Sequence, residues 1–223
     1  MTLQADTQTI NVVIVEDHLM FREWLAQMIS KDGSCSVCGE TDNIRDGFEI
    51  ITRTKPDIAI VDISLRGSSG LELIKDLKAQ GVDVPVLVLS MHEESLYAER
   101  VLRAGAKGYI TKHEASSTLL KAIRQVLSGQ VYLSETMTTV MLQKVSRQGA
   151  KASASEMELL ADRELEVFQL IGKGYNSREI SERLHLGETT VETYRARIKE
   201  KLRIKNAAEL YSRAAHWFHE HGS

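Results

Sequence analysis

Residues 57–73 read DIAIVDISLRGSSGLEL. A short β-branched run, IAIV, ends directly in Asp62, and an amphipathic segment begins at Gly70. The start of the chain repeats this design, since VVIV (12–15) runs into Glu16 and Asp17. Strands that end in carboxylates are typical of α/β sheets, in which ligands bind beyond the carboxyl ends of the strands.

Residues 11–130 alternate between β-branched runs and segments with apolar residues at three- and four-residue spacing, which predicts a parallel sheet with helices on both faces. The predicted strands are 11–15, 36–41, 58–61, 84–89 and 108–110, and the predicted helices are 19–29, 44–54, 70–79, 96–104 and 117–127. Five such units favour a flavodoxin-like, doubly wound, five-stranded parallel sheet of the α/β class.

The remainder of the chain predicts a second, smaller domain. One more helix is expected over 133–145, and residues 146–155 (SRQGAKASAS) have the small, polar composition of a linker. From Glu156 onward every segment has helical period. The 223 residues are therefore expected to form an α/β domain (10–130), a partly helical linker (131–157) and a small all-α domain (158–223).

The composition, with 43% hydrophobic and 26% charged residues, is that of a globular protein. No apolar run approaches the roughly 20 residues of a membrane span, and residues 1–9 lack a signal-peptide core, so we expect a cytoplasmic protein without membrane contact. The net charge of -3 does not indicate a nucleic-acid binder. Residues 194–206, however, carry six basic side chains and a single acid, Glu200.

Cys35 and Cys38 form a C-x-x-C, which leaves a redox pair or half of a zinc site open. The surrounding run reads as an extended strand, in which positions three apart face opposite sides. We expect both cysteines to pack as small apolar residues.

Five polar side chains are predicted to meet at one edge of the sheet: Glu16, Asp17, Asp62, Ser90 and Lys112 each follow or end a strand. Carboxylates about 4 Å apart repel by several kcal/mol, so a cation such as Mg²⁺ is expected among them. A carboxylate nucleophile with a metal, a hydroxyl and a lysine makes a phosphoryl-accepting site. Each acid alone could merely cap a helix, but five in strand order argue for a shared site.

The motifs VVIVEDH (12–18), DIAIVDISLRGSSGLEL (57–73), VLVLSMH (86–92) and GAKGYITK (105–112) resemble the receiver domain of bacterial response regulators. The resemblance implies that Asp62 accepts a phosphoryl group from the phosphohistidine of a sensor histidine kinase. It implies that Mg²⁺ (or Mn²⁺) is held by Asp17, Asp62, the backbone carbonyl of Ser64 and, through water, Glu16. Lys112 then coordinates the phosphoryl group, and Ser90 and Tyr109 form the switch pair. His113 departs from the family, which often has proline there, so the usual cis peptide is not assumed.

Residues 176–202 predict a helix-turn-helix. Asn176 and Glu179 form a capping box, residues 185–187 make a turn, and Val191, Ile198 and Leu202 form the inward stripe of the next helix. A short helix, a tight turn and a helix with an exposed basic face suit major-groove reading. On charge alone, a solvated surface helix is an equal alternative.

Residues 160–215 resemble the LuxR-type output domain of NarL/FixJ response regulators, through RELEVFQLIGKGYNSREISERL (163–184) and TTVETYRARIKEKL (189–202). The family pattern implies groove contacts from Thr190, Glu192, Thr193, Ala196 and Arg197, and phosphate contacts from Asn176, Ser177, Thr189, Lys199 and Lys201. It also implies a dimer contact on the last helix, where Leu210, Ala214 and Trp217 form a stripe that ordinary packing explains equally well.

Two residues of this domain depart from the family. Glu192 replaces a common lysine and is expected to accept a hydrogen bond from cytosine. Ala161 replaces the usual Ser or Thr cap of the first helix.

Together these features predict a two-component response regulator that is phosphorylated on Asp62 and then binds double-stranded promoter DNA as a homodimer. One alternative is a phosphorylation-independent DNA-binding regulator that uses the receiver fold as a dimerisation scaffold. A signalling enzyme is a third reading, but no inserted segment builds a substrate pocket or lid, so we do not expect an enzyme.

Overall fold

The computed structural model describes residues 9–92, 94–147 and 156–221. The chain divides into two compact units, residues 1–145 and 146–223, which are described one at a time. None of the described helices combines the length and apolar composition that crossing a bilayer requires.

The first unit is built on a parallel five-stranded sheet of order β2-β1-β3-β6-β7. Its strands are β1 (Ile10–Val15), β2 (Cys35–Thr41), β3 (Ile58–Asp62), β6 (Val86–Ser90) and β7 (Gly108–Thr111), while β4 (Ser64–Leu65) and β5 (Ser68–Ser69) form a small hairpin after β3. The order confirms the predicted flavodoxin-like fold. The fourth strand of the sheet begins later than predicted, because Pro85 has no N–H to donate to a ladder.

The strand register brings the predicted side chains to one edge. Val15 lies opposite Val61, Asp62 opposite Leu89, and Ser90 opposite Thr111. The residues that follow these strands therefore share the carboxyl edge of the sheet.

Helices cover both faces of the sheet, so β1, β3, β6 and β7 are mostly buried, whereas the edge strand β2 also has exposed residues. They are α1 (Leu19–Lys31), α2 (Ile44–Thr54), α3 (Gly70–Ala79), α4 (Glu94–Ala104) and α5 (Ala115–Leu127). The second and third match the predicted ranges, and the fourth and fifth each begin two residues earlier than predicted. One core layer packs strand residues such as Ile14 and Leu87 against α1 and α5 through Leu25 and Leu119.

The predicted linker helix is present as α6 (Glu135–Arg147). Residues 148–155 of the predicted linker lie outside the described residues. Cys35 is buried and Cys38 exposed on β2, and both are free thiols. Packing is thus confirmed for Cys35, whose pKa burial raises, but was wrong for Cys38, which faces solvent because positions three apart lie on opposite sides of a strand.

The second unit contains a 3₁₀ turn (Glu156–Leu159) and the helices α7 (Asp162–Gly172), α8 (Ser177–Leu184), α9 (Glu188–Lys201) and α10 (Ala207–His221). Over the described range 156–221 no residue lies in a strand, as predicted. Its core is formed by buried apolar residues from all four helices, including Phe168, Ile180, Val191, Ile198 and Leu210.

Candidate functional site

Three carboxylates meet at the carboxyl edge of the sheet. One ligand oxygen from each of Glu16, Asp17 and Asp62 lies within 4.8 Å of the others. Asp62 ends β3 and is buried, Glu16 follows β1 and is buried, and Asp17 is half-buried. Among the described residues, this is the one grouping of acids, histidines and cysteines with the geometry to hold a metal ion.

Lys112 supplies positive charge to this cluster from the end of β7. Its Nζ lies 2.8 Å from Asp62 Oδ2 and 2.6 Å from Glu16 Oε2. Burial lowers the pKa of Lys112, but the two carboxylates outweigh burial and raise the pKa above its ordinary value. At the rim, Arg66 Nε lies 3.8 Å from Asp17 Oδ2.

Asp62 has a strongly perturbed pKa. Burial, helped by the negative charge of Glu16, raises the pKa of Asp62 from 3.8 to about 7, although Lys112 acts in the opposite direction. The Ser64 N–H also donates to Asp62 Oδ1 at 3.3 Å. Near neutral pH this carboxyl is therefore partly protonated, unless a further positive charge such as a cation binds beside it.

The donor set fits a hard divalent cation, because three carboxylates offer oxygen ligands at one point. Glu16 Oε1 accepts from the His18 N–H at 3.0 Å, and Glu16 Oε2 lies 2.6 Å from Lys112 Nζ. The Asp62 oxygens are engaged in a similar way, by the Ser64 N–H and by Lys112. All three carboxylates are therefore candidate ligands of a cation.

Gly70 is a site residue that the sequence did not single out. A Cβ on Gly70 would lie 1.9 Å from the Asp62 carbonyl oxygen, so any side chain is excluded there. The Gly70 N–H donates to Ile63 O at 2.8 Å, and the Ser69 hydroxyl caps α3 by accepting from Leu71 N at 3.3 Å. The amino end of α3 can therefore pack directly against the end of β3, where Asp62 lies.

The predicted switch residues are joined through His92, which sequence reasoning also missed. Ser90 Oγ accepts from the His92 N–H at 3.1 Å, and the Tyr109 hydroxyl donates to His92 O at 2.7 Å. Ser90 and Tyr109 are both buried, so the Tyr109 ring lies inward here. The His92 ring bonds Ser64 Oγ at 2.8 Å and stacks on Tyr97. The described residues contain no cis peptide bond, so Lys112–His113 is trans.

The second unit contains the predicted helix-turn-helix. Asn176 Oδ1 accepts from Glu179 N at 3.0 Å and Glu179 Oε2 accepts from Asn176 N at 2.8 Å, which confirms the capping box. α8 ends at Leu184, and the C-cap residue His185, with a left-handed φ of 52°, begins the turn into α9. The predicted inward stripe of α9, namely Val191, Ile198 and Leu202, is buried.

The residues predicted to face DNA lie mostly at the surface. Exposed are Asn176, Thr189, Thr190, Glu192, Thr193, Ala196, Arg197 and Lys201, and half-buried are Ser177 and Lys199. Lys201 is already engaged, because its Nζ lies 2.6 Å from Glu164 Oε2. This internal ion pair competes with the phosphate contact predicted for Lys201.

Arg195 is buried and joins three elements, although the sequence marked it only as one of six basic residues. Its Nη1 donates to Ser177 Oγ on α8 at 2.7 Å and to the Tyr211 hydroxyl on α10 at 3.0 Å. Glu192 Oε1 accepts from the Ser177 hydroxyl and lies 3.7 Å from Arg195 Nε. Glu192, the predicted base reader, is therefore held by its own domain.

Two of the three residues predicted for a dimer contact on the last helix are buried within the domain. Leu210 and Ala214 have no exposed surface, and the Trp217 ring lies 5.8 Å from that of Phe168 on α7. The stripe closes the core of the domain, so Leu210 and Ala214 are not available to a second subunit. This is the packing alternative that the sequence left open.

Two family models match the chain: the response regulator receiver domain over residues 12–124, and the luxR family of bacterial regulatory proteins over 158–214. The chain belongs to the NarL/FixJ family of response regulators. It is thus a two-component transcription regulator with an amino-terminal receiver and a LuxR-type output domain, and its family is not one of typical enzymes.

Relatives of this response regulator match it over most of both chains. A putative transcriptional regulator of Pseudomonas aeruginosa is 36% identical, with 89% of this chain and 94% of the relative covered. BvgA of Bordetella pertussis, a putative positive transcription regulator of virulence factors, is 34% identical over 89% and 93% of the two chains. RcsB of Salmonella enterica, solved on the rprA promoter with the phosphomimetic BeF3-, shares the fold at 21% identity, with a TM-score of 0.59 and coverage of 93% and 99%.

Proposed function

We propose that Asp62 is the phosphoacceptor of this response regulator. The observation that carries the proposal is the convergence of Glu16, Asp17, Asp62 and Lys112 at the carboxyl edge of the sheet. An Asp62 carboxylate oxygen attacks the phosphorus of a kinase phosphohistidine, the phosphorus–nitrogen bond breaks, and an acyl phosphate forms. The Lys112 ammonium is placed to hold a phosphoryl oxygen, since its Nζ already lies 2.8 Å from Asp62.

The cation at this site is proposed to be Mg²⁺, with Mn²⁺ as a substitute. Asp17, Asp62 and the backbone carbonyl of Ser64 would hold it directly, and Glu16 through water. When bound, the cation neutralises phosphoryl oxygens. The protein contributes the fixed positions of its ligands: Gly70 lets α3 pack against the end of β3 at Asp62, and Lys112 balances the charge of Glu16.

The change at Asp62 is proposed to reach the surface through Ser90 and Tyr109. Both side chains bond to His92, so a Ser90 hydroxyl drawn toward a phosphoryl group gives up its bond from the His92 N–H. The Tyr109 hydroxyl, which donates to His92 O, then meets a displaced acceptor. The two side chains thus act on one loop, at the start of α4.

The output domain is proposed to bind double-stranded promoter DNA as a homodimer in the cytoplasm. Support comes from the exposed face of α9, with Thr190, Thr193, Ala196 and Arg197 toward the groove. Asn176, Ser177, Thr189 and Lys199 are the proposed phosphate contacts. RcsB, which shares this fold, was solved on a promoter. Because Leu210 and Ala214 are buried, the dimer contact belongs to other residues.

Glu192 is proposed to read a base directly, after exchanging its bond from Ser177 for one from cytosine N4. Glu192→Ala should then lower affinity for the preferred operator by about 1–3 kcal/mol while relaxing specificity at one position. An equal loss for every DNA sequence, or no loss, would contradict base reading.

The proposed function is tested by titrating labelled operator DNA with protein plus Mg²⁺, with and without beryllofluoride, and measuring anisotropy. We expect tighter binding in the presence of beryllofluoride, and no such gain in Asp62→Ala. Mass spectrometry after acetyl phosphate treatment should show one added phosphoryl group that Asp62→Ala lacks. Equal affinity in both states would favour the phosphorylation-independent regulator instead.

A further inference from the structure

The outer edge of β7 is covered by the chain that leads out of the receiver. β7 is the last strand of the sheet order. Beyond it, the Tyr132 N–H donates to Lys107 O at 3.0 Å, and the Tyr109 N–H donates to Tyr132 O at 2.9 Å. Tyr132 thereby forms a parallel bridge with Gly108. We call residues 131–137 the strap.

Gly108 permits this close approach. A Cβ on Gly108 would lie 3.0 Å from Tyr132 Cβ, 3.1 Å from Tyr132 O and 2.8 Å from Leu87 Cδ1. Neither neighbour can easily move away from a side chain at this position. Leu87 is buried in the sheet, and both the N–H and the C=O of Tyr132 are hydrogen-bonded. A glycine at this position therefore lets the strap lie flat against the strand that carries Tyr109.

A second attachment joins the strap to α4. Glu94 is the first residue of α4, and its Oε1 accepts from the Ser134 N–H at 2.9 Å. Ser134 in turn caps α6, because its Oγ accepts from Met137 N at 3.1 Å, and Met137 is buried. The Glu94 carboxylate thus lies at the amino ends of both α4 and α6, where a negative charge is favourable.

We propose that the strap is the coupling element that carries the state of the receiver into α6 and so toward the output domain. This inference rests on the proposed function of Asp62. The strap is hydrogen-bonded close to both switch residues. On β7, the backbone N–H of Tyr109 donates to the strap, and on α4, which begins four residues after Ser90, Glu94 accepts from it.

The strap is also attached to α5, because Gln125 Nε2 donates to Val131 O at 2.8 Å. A shift of β7 or α4 relative to α5 is therefore expected to displace the first turn of α6, which is tied to the strap through Ser134.

Hydrogen exchange tests whether the strap responds to the receiver. Exchange is measured by mass spectrometry on the full chain with Mg²⁺, with and without beryllofluoride. We expect beryllofluoride to change exchange around Asp62, in α4 and in peptides covering 131–140. A response around Asp62 and α4 with none in 131–140 would overturn the coupling. No response around Asp62 would instead contradict the proposed phosphoacceptor, so the two failures are distinguishable.

Three variants test whether the Glu94 bond carries the signal. Glu94→Ala removes the acceptor, Glu94→Gln keeps an acceptor oxygen, and Asp76→Ala removes an exposed carboxylate of α3, outside the strap. The readout is the ratio of operator affinity with beryllofluoride to that without it. In the wild type we expect a ratio of about fivefold or more, the lower range of allosteric couplings.

In Glu94→Ala this ratio should fall to nearly one, while the change in exchange around Asp62 persists and shows that the receiver still folds and binds beryllofluoride. Glu94→Gln and Asp76→Ala should keep the wild-type ratio. A full ratio in Glu94→Ala would make the strap a structural cover only. Equal losses in Glu94→Ala and Asp76→Ala would assign the effect to net charge and would likewise contradict the coupling.

Discussion

Asp62 combines a buried position with a charge that its neighbours only partly balance. It is 4% exposed and contacts Lys112, but Glu16 competes for the same ammonium. Its pKa is raised to about 7, first by burial and then by Glu16. The protein therefore holds a carboxyl that is costly to ionise until a cation arrives, and this cost affects folding.

Replacing Asp62 by Asn should stabilise the metal-free protein. The pKa of Asp62 rises from 3.8 to about 7 on folding. The free energy of unfolding is therefore highest, as far as Asp62 is concerned, below pH 3.8, where the carboxyl is protonated in both states, and it decreases as the pH rises to about 7. At pH 8 and without metal, Asp62→Asn should gain about 2–4 kcal/mol, with a smaller gain at pH 5. Thermal unfolding in EDTA measures both values.

The matched control is Asp76→Asn, on an exposed residue of α3, which should show little gain at either pH. Adding Mg²⁺ should stabilise the wild type more than Asp62→Asn. A gain for Asp62→Asn that does not grow between pH 5 and pH 8 would contradict the raised pKa.

Single residues differ in how far the sequence predicts them. Glu16, Asp62 and Lys112 follow directly from the strand pattern, since the carboxyl ends of parallel strands meet at one edge. Gly70 and His92 do not, because their roles depend on distances between segments: a Cβ 1.9 Å from the Asp62 carbonyl, and a ring that reaches Ser64. No local pattern carries such information.

At the scale of the helix, α7 begins without a side-chain cap. Ala161 is its N-cap residue, with extended backbone, and half of a capping box is present because the Ala161 N–H donates to Glu164 Oε2 at 2.7 Å. Ala161→Ser should complete the box and stabilise the output domain by about 0.5–1 kcal/mol. Chemical denaturation followed by circular dichroism checks this. Ala208→Ser, in the exposed first turns of α10, should bring no gain, and equal effects would refute the capping argument.

α9 carries two arginines of opposite roles. Arg195 is buried and bonds to α8 and α10, whereas Arg197 is exposed. Arg195→Met should destabilise the output domain by about 1–3 kcal/mol, because Ser177 and Tyr211 lose a charged donor. Arg197→Met should leave stability unchanged and weaken operator binding. Denaturation and anisotropy on the two variants separate the roles, and the reverse pattern would exchange them.

Element boundaries followed from the sequence more closely than element contacts did. The helices α2 and α3 matched to the residue, and the apolar stripe of α9 was correctly placed inward. The stripe on α10 was compatible with either dimerisation or packing, since both need apolar side chains at three- and four-residue spacing. The burial of Leu210 and Ala214 and the contact of Trp217 with Phe168 on α7 favour packing, and these are contacts between helices that a single helix pattern does not carry.

For the whole molecule, DNA affinity should depend steeply on salt although the net charge is -3. Lys199→Gln should lower the slope of log affinity against log salt by about one, as expected for a lost phosphate contact. Lys201→Gln should lower it less, because its ammonium pairs with Glu164 at 2.6 Å. Anisotropy titrations at several salt concentrations give the slopes, and equal decreases would show that Lys201 leaves Glu164 to contact DNA.

The bridge between Tyr132 and Gly108 bears on how this protein can be divided experimentally. The match to the receiver family ends at residue 124. The chain nevertheless continues along the outer side of β7, where Tyr132 bridges Gly108, and the first compact unit ends at residue 145. A recombinant fragment that stops near residue 124 would uncover unpaired N–H and C=O groups of β7, which invite pairing with another copy. A fragment that extends to residue 145 keeps that side closed and is the better choice for solution studies of the isolated receiver.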